Sequence, residues 1–318
     1  MTSTPHALVR IATRSSLLAL WQANHVADLI REAAPGTTVE LVEVSTTGDR
    51  VLSQPLRDFG GLGVFTREVQ VAVIDGRADV AVHSLKDLPT ESTPGLALAA
   101  IPERGETADA LVLPLGAMDS GGLLPLVEKA RVATGSPRRQ AQLLHVRPDL
   151  QLMEVRGNVQ TRLNKLDAGE FDAMILACAG LERLGLADRI TRRLTPPLMY
   201  HAVSQGALGL ECRSDDAAVC ELLHRLIHAP TWAAAIAERS LLSALRAGCH
   251  APVGVATKLI DDGLHLEVVV LSLTRDARWI ASASGPADQP VELGRIVAAM
   301  LVEQGASAVL TTNTSSLP

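Results

Sequence analysis

The sequence predicts an α/β protein: two α/β domains followed by a smaller α+β domain with an antiparallel sheet. Three observations carry this. The chain has 318 residues, enough for two or three domains of ordinary size. Short apolar strands alternate with amphipathic helices from Leu8 to about Ala100, and again from Asp109 onward. After "TPPLMYHAVSQGALGLEC" the pattern changes to longer strands with period-two alternation.

In the first set, "LVRIAT" reads as a strand and "SSLLALWQANHVADLIREA" as a helix with a serine available as its N-cap. "TTVELVEVS" is a strand, "GVFTREVQVAVIDG" a helix ending near Gly76, and "ADVAVHS" and "GLALAAIP" are strands. This alternation implies a mainly parallel sheet covered on both faces. "PERGETADA" is a polar break. In the second set, "DALVLPL", "ARVATGS", "LQLMEVRG" and "FDAMILACAG" read as strands, with "PRRQAQLLHVRP" and "VQTRLNKLDAG" as helices. In the third, "VGVATKLI", "LHLEVVVLSLT" and "RWIASASG" form a small antiparallel sheet, covered by helices around "WAAAIAERSLLSALR" and "VELGRIVAAMLVEQG".

Composition narrows the function. The chain is 47% hydrophobic but only 2% aromatic, with a formal net charge of -6. An acidic chain nearly without aromatics lacks the basic field and stacking faces of a nucleic-acid binder. No apolar window approaches the roughly 18 residues of a membrane span, and "MTSTPHALVR" has no secretory pattern, so a cytoplasmic protein is expected. No metal is expected either, since no His/Cys cluster has zinc-like spacing. Of the four cysteines, Cys178 falls in the apolar run "AMILACAG", read as a buried strand. Cys212 closes "GALGLEC" and Cys220 lies in the amphipathic "DDAAVCELLHRL", so all three read as core residues. Cys249 differs, because "AGCHAPVG" places it in a loop of small residues between a helix and a strand.

The ends of the expected strands share a chemical theme. Thr13, Arg14, Ser15 and Ser16 follow the first strand, and Thr134 to Arg139 ("TGSPRR") follow "ARVA". Arg156, Gly157 and Asn158 follow "LMEV", with Arg162 one turn on, and Arg183 follows "ILACAG". Ligands of open α/β sheets bind beyond the carboxyl ends of the strands. Helix N-termini favour anions, and arginine matches a carboxylate bidentately. A ligand with several carboxylates or phosphates is therefore expected. No GxxxxGK[ST] loop and no GxGxxG is present, so nucleotide binding is unsupported. "VAVHSLKDLPT" runs a strand into Lys86 and Asp87, where Pro89 stops it. Asp87 is either an acid/base or cation-stabilising carboxylate, or a turn residue bonding its own backbone. A Cys249–His250 hydrolytic pair is disfavoured, because sequence neighbours rarely form a productive dyad and no third member is in view.

Taken together, "RIATRSSLLALWQA", "GVFTREVQVAVIDGRADVAVHSLKDLPT", "ATGSPRRQAQL", "VRGNVQTRLNKLDAGEFDAMILACAGLERLGL", "AVSQGALGLECR" and "AGCHAPVG" resemble the porphobilinogen deaminase family over nearly the whole chain. The resemblance implies two periplasmic-binding-protein-like α/β domains and a C-terminal α+β domain. Their expected bounds are 1–104 with 202–225, 105–201, and 226–318. It implies a monomeric transferase that joins four porphobilinogens head to tail, releases ammonia at each addition, and hydrolyses the product to hydroxymethylbilane. The work is done on a dipyrromethane cofactor held by a thioether to Cys249.

Asp87 is then the catalytic carboxylate, assisting ammonia loss and stabilising the azafulvenium cation. Lys86, Thr134, Ser136, Arg138, Arg139, Arg156 and Arg162 hold the cofactor. Arg14, Ser16 and Arg183 bind the incoming substrate, with Arg156 and Arg162 shared, and Gln205 has a supporting place near the hinge. The chain departs from many relatives at Leu62, where "GGKG" is common, leaving Arg57 or Arg67 to take over any lysine role. It also departs at Gly135 and Pro137, and at Ser204, where glycine is common. The rival reading is a two-lobed, non-catalytic module that closes on a dicarboxylate. It leaves Cys249 and Asp87 without a purpose.

Overall fold

The structure is a computed structural model describing residues 8–45, 66–119, 121–248, 251–261, 263–274 and 277–311. The expectations for the "GGLG" loop with Leu62 and Arg57, and for Cys249 and His250, lie outside these residues. The chain divides into two compact units, Met1–Gly105 with Gly206–Ala235, and Glu106–Gln205 with Ile236–Pro318.

In the first unit, β1 (Leu8–Arg14) leads into α1 (Leu17–Ala33), and β2 (Thr38–Val44) follows. Then come α2 (Arg67–Ile74), β3 (Val80–Ser84), a 3-10 turn over Leu85–Asp87 and β4 (Leu96–Ala100). β5 (Asp109–Val112), β6 (Arg131–Ala133), α3 (Pro137–Val146), β7 (Gln151–Met153), α4 (Val159–Asp167), β8 (Ala173–Ala177), α5 (Cys178–Arg183) and β9 (Arg192–Leu194) belong to the second unit. The chain returns to the first for β10 (Leu208–Arg213) and α6 (Ala217–His224). α7 (Ala229–Ala244) begins in the first unit and ends in the second. β11 (Val253–Ile260), β12 (Gly263–Leu271), β13 (Arg278–Pro286) and α8 (Pro290–Glu303) complete the second unit.

The first sheet has the order β2-β1-β3-β10-β4 and the second β7-β6-β8-β5-β9. Each has the same plan: a parallel group of three (second, first and third strands), then one antiparallel strand, then the last. In each sheet the antiparallel strand is the first one laid down after the chain changes unit. Both faces are covered, as the apolar runs require. Val9, Ile11, Val80 and Val82 face α1 and α6, while Ala12 and Ala81 face α2. In the second sheet Ala110, Val112, Met174 and Leu176 pack with α4 and α5. Leu111, Ile175 and Val132 pack with α3 on the opposite face. Neighbouring residues go to opposite faces because strand side chains alternate.

The third sheet, β11-β12-β13, is antiparallel. α7 and α8 cross closely at Gly294, where a Cβ would lie 2.7 Å from Leu241 N and 2.9 Å from Ser240 Cβ. Two sequence expectations change. The apolar run "AMILACAG" is strand only to Ala177; Cys178 opens α5 and is buried there. An unbroken apolar run hides the switch from strand to buried helix. Arg183 therefore sits in the last turn of α5, not where a helix begins. β9 was not expected; at three residues it is too short to show a period.

Ser204 has φ 60°, the left-handed region that glycine adopts without cost. Its N–H donates to Glu238 Oε2 at 2.6 Å, while its buried Oγ has no hydrogen-bond partner among the described residues. Ser204→Gly is therefore expected to stabilise the protein by about 1 kcal/mol. Released strain and the removed buried hydroxyl outweigh the extra freedom of glycine in the unfolded chain. Thermal unfolding checks this, and a lower midpoint for the variant would contradict it.

Candidate active site

In the first unit, β1 and β3 run parallel, so Arg14, Ser16 and the Lys86–Asp87 turn lie along the same edge of the sheet. Ser16 is the N-cap of α1 and accepts from Ala19 N at 3.3 Å. Gln22 of α1 donates to Ser84 Oγ at 2.8 Å, tying that helix to the end of β3. Leu85 N donates to Ala207 O at 3.0 Å and Leu88 N to Leu85 O at 3.2 Å. Leu85 and Leu88 are buried, Lys86 is half-buried, and Asp87 is exposed. The turn is thus anchored on both sides of a carboxylate left open to a ligand. Gly209 makes the anchor possible, since a Cβ there would lie 2.8 Å from Leu85 Cδ1. Behind β3, buried His83 Nε2 is 2.9 Å from Glu211 Oε2, and that oxygen accepts from Gln70 Nε2 at 2.9 Å.

In the second unit, β7, β6 and β8 are parallel and end on one edge. Thr134, Ser136, Arg138 and Arg139 are gathered where β6 passes into α3, with Pro137 in the first helical turn. Thr134 is buried and its Oγ1 accepts from Ser136 N at 3.3 Å. Arg156 and Arg162 lie where β7 passes into α4. Asn158 caps α4 by accepting from Thr161 N at 2.9 Å, and Arg162 Nε donates to Gly157 O at 2.7 Å. Gly157 has φ 109°, a conformation that suits only glycine. Arg183 is on the same side of the sheet but past the short α5, and burial lowers its hold on its proton.

Arg138 and Arg139, expected as forks for a ligand's carboxylates, are already paired with a carboxylate of the chain. Both are buried on Asp109, itself fully buried at the start of β5. Arg138 Nη1 donates to Asp109 Oδ2 at 2.7 Å and also to Tyr200 O. Arg139 reaches Oδ1 through Nε at 3.1 Å and Nη2 at 2.7 Å, and Gln205 Nε2 donates to Oδ1 at 2.9 Å. Burial alone would raise the Asp109 pKa, but the two guanidiniums outweigh it and hold the carboxyl well below the usual carboxylate range. One carboxylate faces two cations, so the cluster keeps a positive charge. Arg138 Nε has no hydrogen-bond partner among the described residues.

Tyr200 links this cluster to β11. Gln142 bonds both its N–H (2.7 Å) and its C=O (3.0 Å), and its hydroxyl donates to Glu267 Oε1 at 2.8 Å. β11 passes so close that a Cβ at Gly254 would lie 2.6 Å from Tyr200 Cβ. Sequence reasoning missed Asp109 and Tyr200. The signal for Asp109 was present: a carboxylate inside the apolar run "ADALVL" needs a buried cation.

The pairing has a pH consequence. A depressed carboxylate pKa contributes stability above the unfolded value of about 3.9, and that stability is lost as pH falls toward the folded value. Asp109→Asn is expected to cost roughly 3–5 kcal/mol at pH 7, because it strands two buried guanidiniums. The gap to the parent should narrow below about pH 4. Denaturant unfolding from pH 7 to pH 3 checks this, and a gap independent of pH would contradict it.

The pattern of a family described as "Porphobilinogen deaminase, dipyromethane cofactor binding domain" matches residues 9–221, and that of "Porphobilinogen deaminase, C-terminal domain" matches residues 232–303. The chain belongs to the porphobilinogen deaminase family.

A porphobilinogen deaminase of Stenotrophomonas maltophilia is 49% identical over 302 residues, covering 95% of this chain and 98% of its own. That of Xanthomonas campestris pv. campestris is 50% identical over 303 residues with the same coverage. That of Gloeobacter violaceus is 47% identical over 306 residues, covering 95% and 92%. Among solved structures, the periplasmic VFT2 domain of Bordetella pertussis BvgS covers 70% of this chain and 87% of its own, at 14% identity and a TM-score of 0.43. The porphobilinogen deaminase family consists of transferases of tetrapyrrole biosynthesis, which matches the expectation raised by the sequence motifs. The first of the two patterns includes both sheet edges described above and is the cofactor-binding part of the family.

Proposed function

We propose that this chain condenses four porphobilinogens head to tail with release of ammonia and hydrolyses the product to hydroxymethylbilane. The observation that carries the reading is the positive surplus around Asp109: two buried guanidiniums, one carboxylate, and a buried Arg138 Nε–H without a partner among the described residues. Such a donor set fits a ligand bearing many carboxylates. Charge-assisted hydrogen bonds contribute roughly 1.5–3 kcal/mol each. The dipyrromethane, when bound, supplies the chain end to which pyrrole units are added, and its acetates and propionates are the anions to be held.

Cys249 holds that group through a thioether. Arg138, Arg139, Arg156, Arg162, Lys86, Thr134 and Ser136 bind its carboxylates. Arg14, Ser16 and Arg183 bind the carboxylates of the incoming porphobilinogen, with Arg156 and Arg162 shared. Asp109 fixes the direction of two guanidiniums, so they need not reorganise when an anion arrives. Asp87 accepts from pyrrole N–H, passes a proton toward the departing amine, and as a carboxylate stabilises the cation that departure leaves. We also propose three domains, bounded at 1–104 with 202–225, 105–201, and 226–318. The enzyme works as a cytoplasmic monomer, without nucleic-acid or membrane partners. No described helix is long and apolar enough to cross a membrane.

The intact mass of the purified protein tests this reading. The expected excess over the sequence is two porphobilinogens less two ammonias, mapping to the Cys249 peptide. A bare mass that stays bare after incubation with porphobilinogen would overturn it and favour a two-lobed binding module.

A further inference from the structure

A pair of thiols lies away from the sheet edges described above. Cys212 is on β10 and Cys220 on α6, and their Sγ atoms are 3.3 Å apart. Both are free thiols. Cys212 is fully buried, whereas Cys220 is half-exposed, with its Sγ 3.7 Å from Arg213 O. The contact is held from both sides. β10 is bonded between β3 and β4, and α6 is fixed by its Asp216 cap, which accepts from Val219 N at 3.1 Å. Asp216 is itself paired with Arg213 at 2.7 Å. The sulfurs need to close by only about 1.3 Å to reach a disulfide bond of about 2.05 Å.

We propose that Cys212 and Cys220 form a redox modification site that a peroxide converts to a disulfide joining β10 to α6. Cys220 is the entry thiol, because solvent reaches it. Its sulfur attacks one peroxide oxygen, the O–O bond breaks, and with hydrogen peroxide the products are a sulfenic acid on Cys220 and water. The sulfur of Cys212 then attacks the Cys220 sulfur. The S–O bond breaks, and hydroxide leaves as water with the proton of Cys212. In sum, two thiols and one hydrogen peroxide give one disulfide and two waters; the thiols lose two electrons and the peroxide gains them.

The asymmetry of the pair suits these roles. Cys212 is fully buried, so it does not meet the oxidant directly. It is already in contact with the sulfur it must attack, which intercepts Cys220 before further oxidation. Cys178 offers an internal comparison: it is buried, its thiol is pushed up to about 12 chiefly by burial, and no other thiol is recorded in contact with it among the described residues.

Peptide mapping after peroxide treatment tests the proposal independently of the catalytic reading. The cofactor-bearing protein is exposed to a few equivalents of hydrogen peroxide, alkylated under denaturing conditions and digested with trypsin. Cleavage after Arg213 separates the two cysteines into peptides 194–213 and 214–225. The expected product is these two peptides joined, two hydrogens lighter than their sum and separated by dithiothreitol, while Cys178 is recovered alkylated. In Cys220→Ser the joined product should vanish and Cys212 should be recovered fully alkylated. Cys220 recovered as sulfinic acid beside an alkylated Cys212 would overturn the proposal. So would recovery of both thiols unoxidised, or a linkage of either to another cysteine.

Discussion

Asp87→Ala is expected to lower turnover at least 100-fold, the lower end of a typical acid–base contribution, while leaving unfolding unchanged. The separation of the two effects follows from the local structure. The turn is held by Leu85 and Leu88, which are buried, and by the bond from Leu85 N to Ala207 O at 3.0 Å. None of these contacts uses the Asp87 side chain, which is exposed. Exposed substitutions away from caps and cores usually change stability by no more than about 0.5 kcal/mol. Any large loss in turnover would therefore report chemistry, and kcat should fall far more than KM rises, because the carboxylate acts on charge that develops during reaction. Asp87→Glu keeps the charge but moves it by one methylene and should recover only part of the rate. Near-normal turnover in Asp87→Ala, with the same melting curve, would return Asp87 to a turn role.

Much of the frame was legible because its signals are local. Short apolar runs such as "LVRIAT" and helical spacing after Ser16 identify β1, α1 and the cap without knowledge of the partner strands. The two antiparallel strands were not legible in this way. "DALV" and "LGLECR" look like any buried strand, and nothing local says that β5 pairs with β8 and β9, or β10 with β3 and β4. Non-local pairing also hid the Asp109 cluster. Arg138 and Arg139 were visible as basic residues after a strand, but their shared carboxylate lies about thirty positions earlier. Their sequence context pointed outward to a ligand; the partner Asp109 shows that both forks are buried and oriented from within. The cysteine pair is similar in kind. Cys212 read correctly as a core residue, whereas Cys220 packs against that core half-exposed, and only the packing of α6 on β10 brings the two sulfurs into contact.

Cys249→Ser is expected to give a folded protein with no attached cofactor and no turnover. A serine hydroxyl is nearly isosteric with the thiol but remains protonated at neutral pH and is a far weaker nucleophile, so it does not form the corresponding linkage. Folding should survive because the flanking elements are secured independently of position 249. Upstream, Leu241 and Leu245 at the end of α7 are buried, and Ala247 N donates to Leu242 O at 3.1 Å. Downstream, β11 pairs with β12 from Val253 to Ile260, and Gly254 allows its close approach to Tyr200. Tyr200 in turn accepts from Arg138, so the anion-directed cluster should keep its form in the variant. Intact mass, a pyrrole-specific colour reaction and a melting curve measured together separate the possible outcomes. A bare mass with a parental melting curve assigns Cys249 as the anchor. A variant that still carries the pyrrole group and turns over would place the attachment elsewhere. An unfolded variant would point to a structural role for the thiol, to be separated from anchoring by Cys249→Ala.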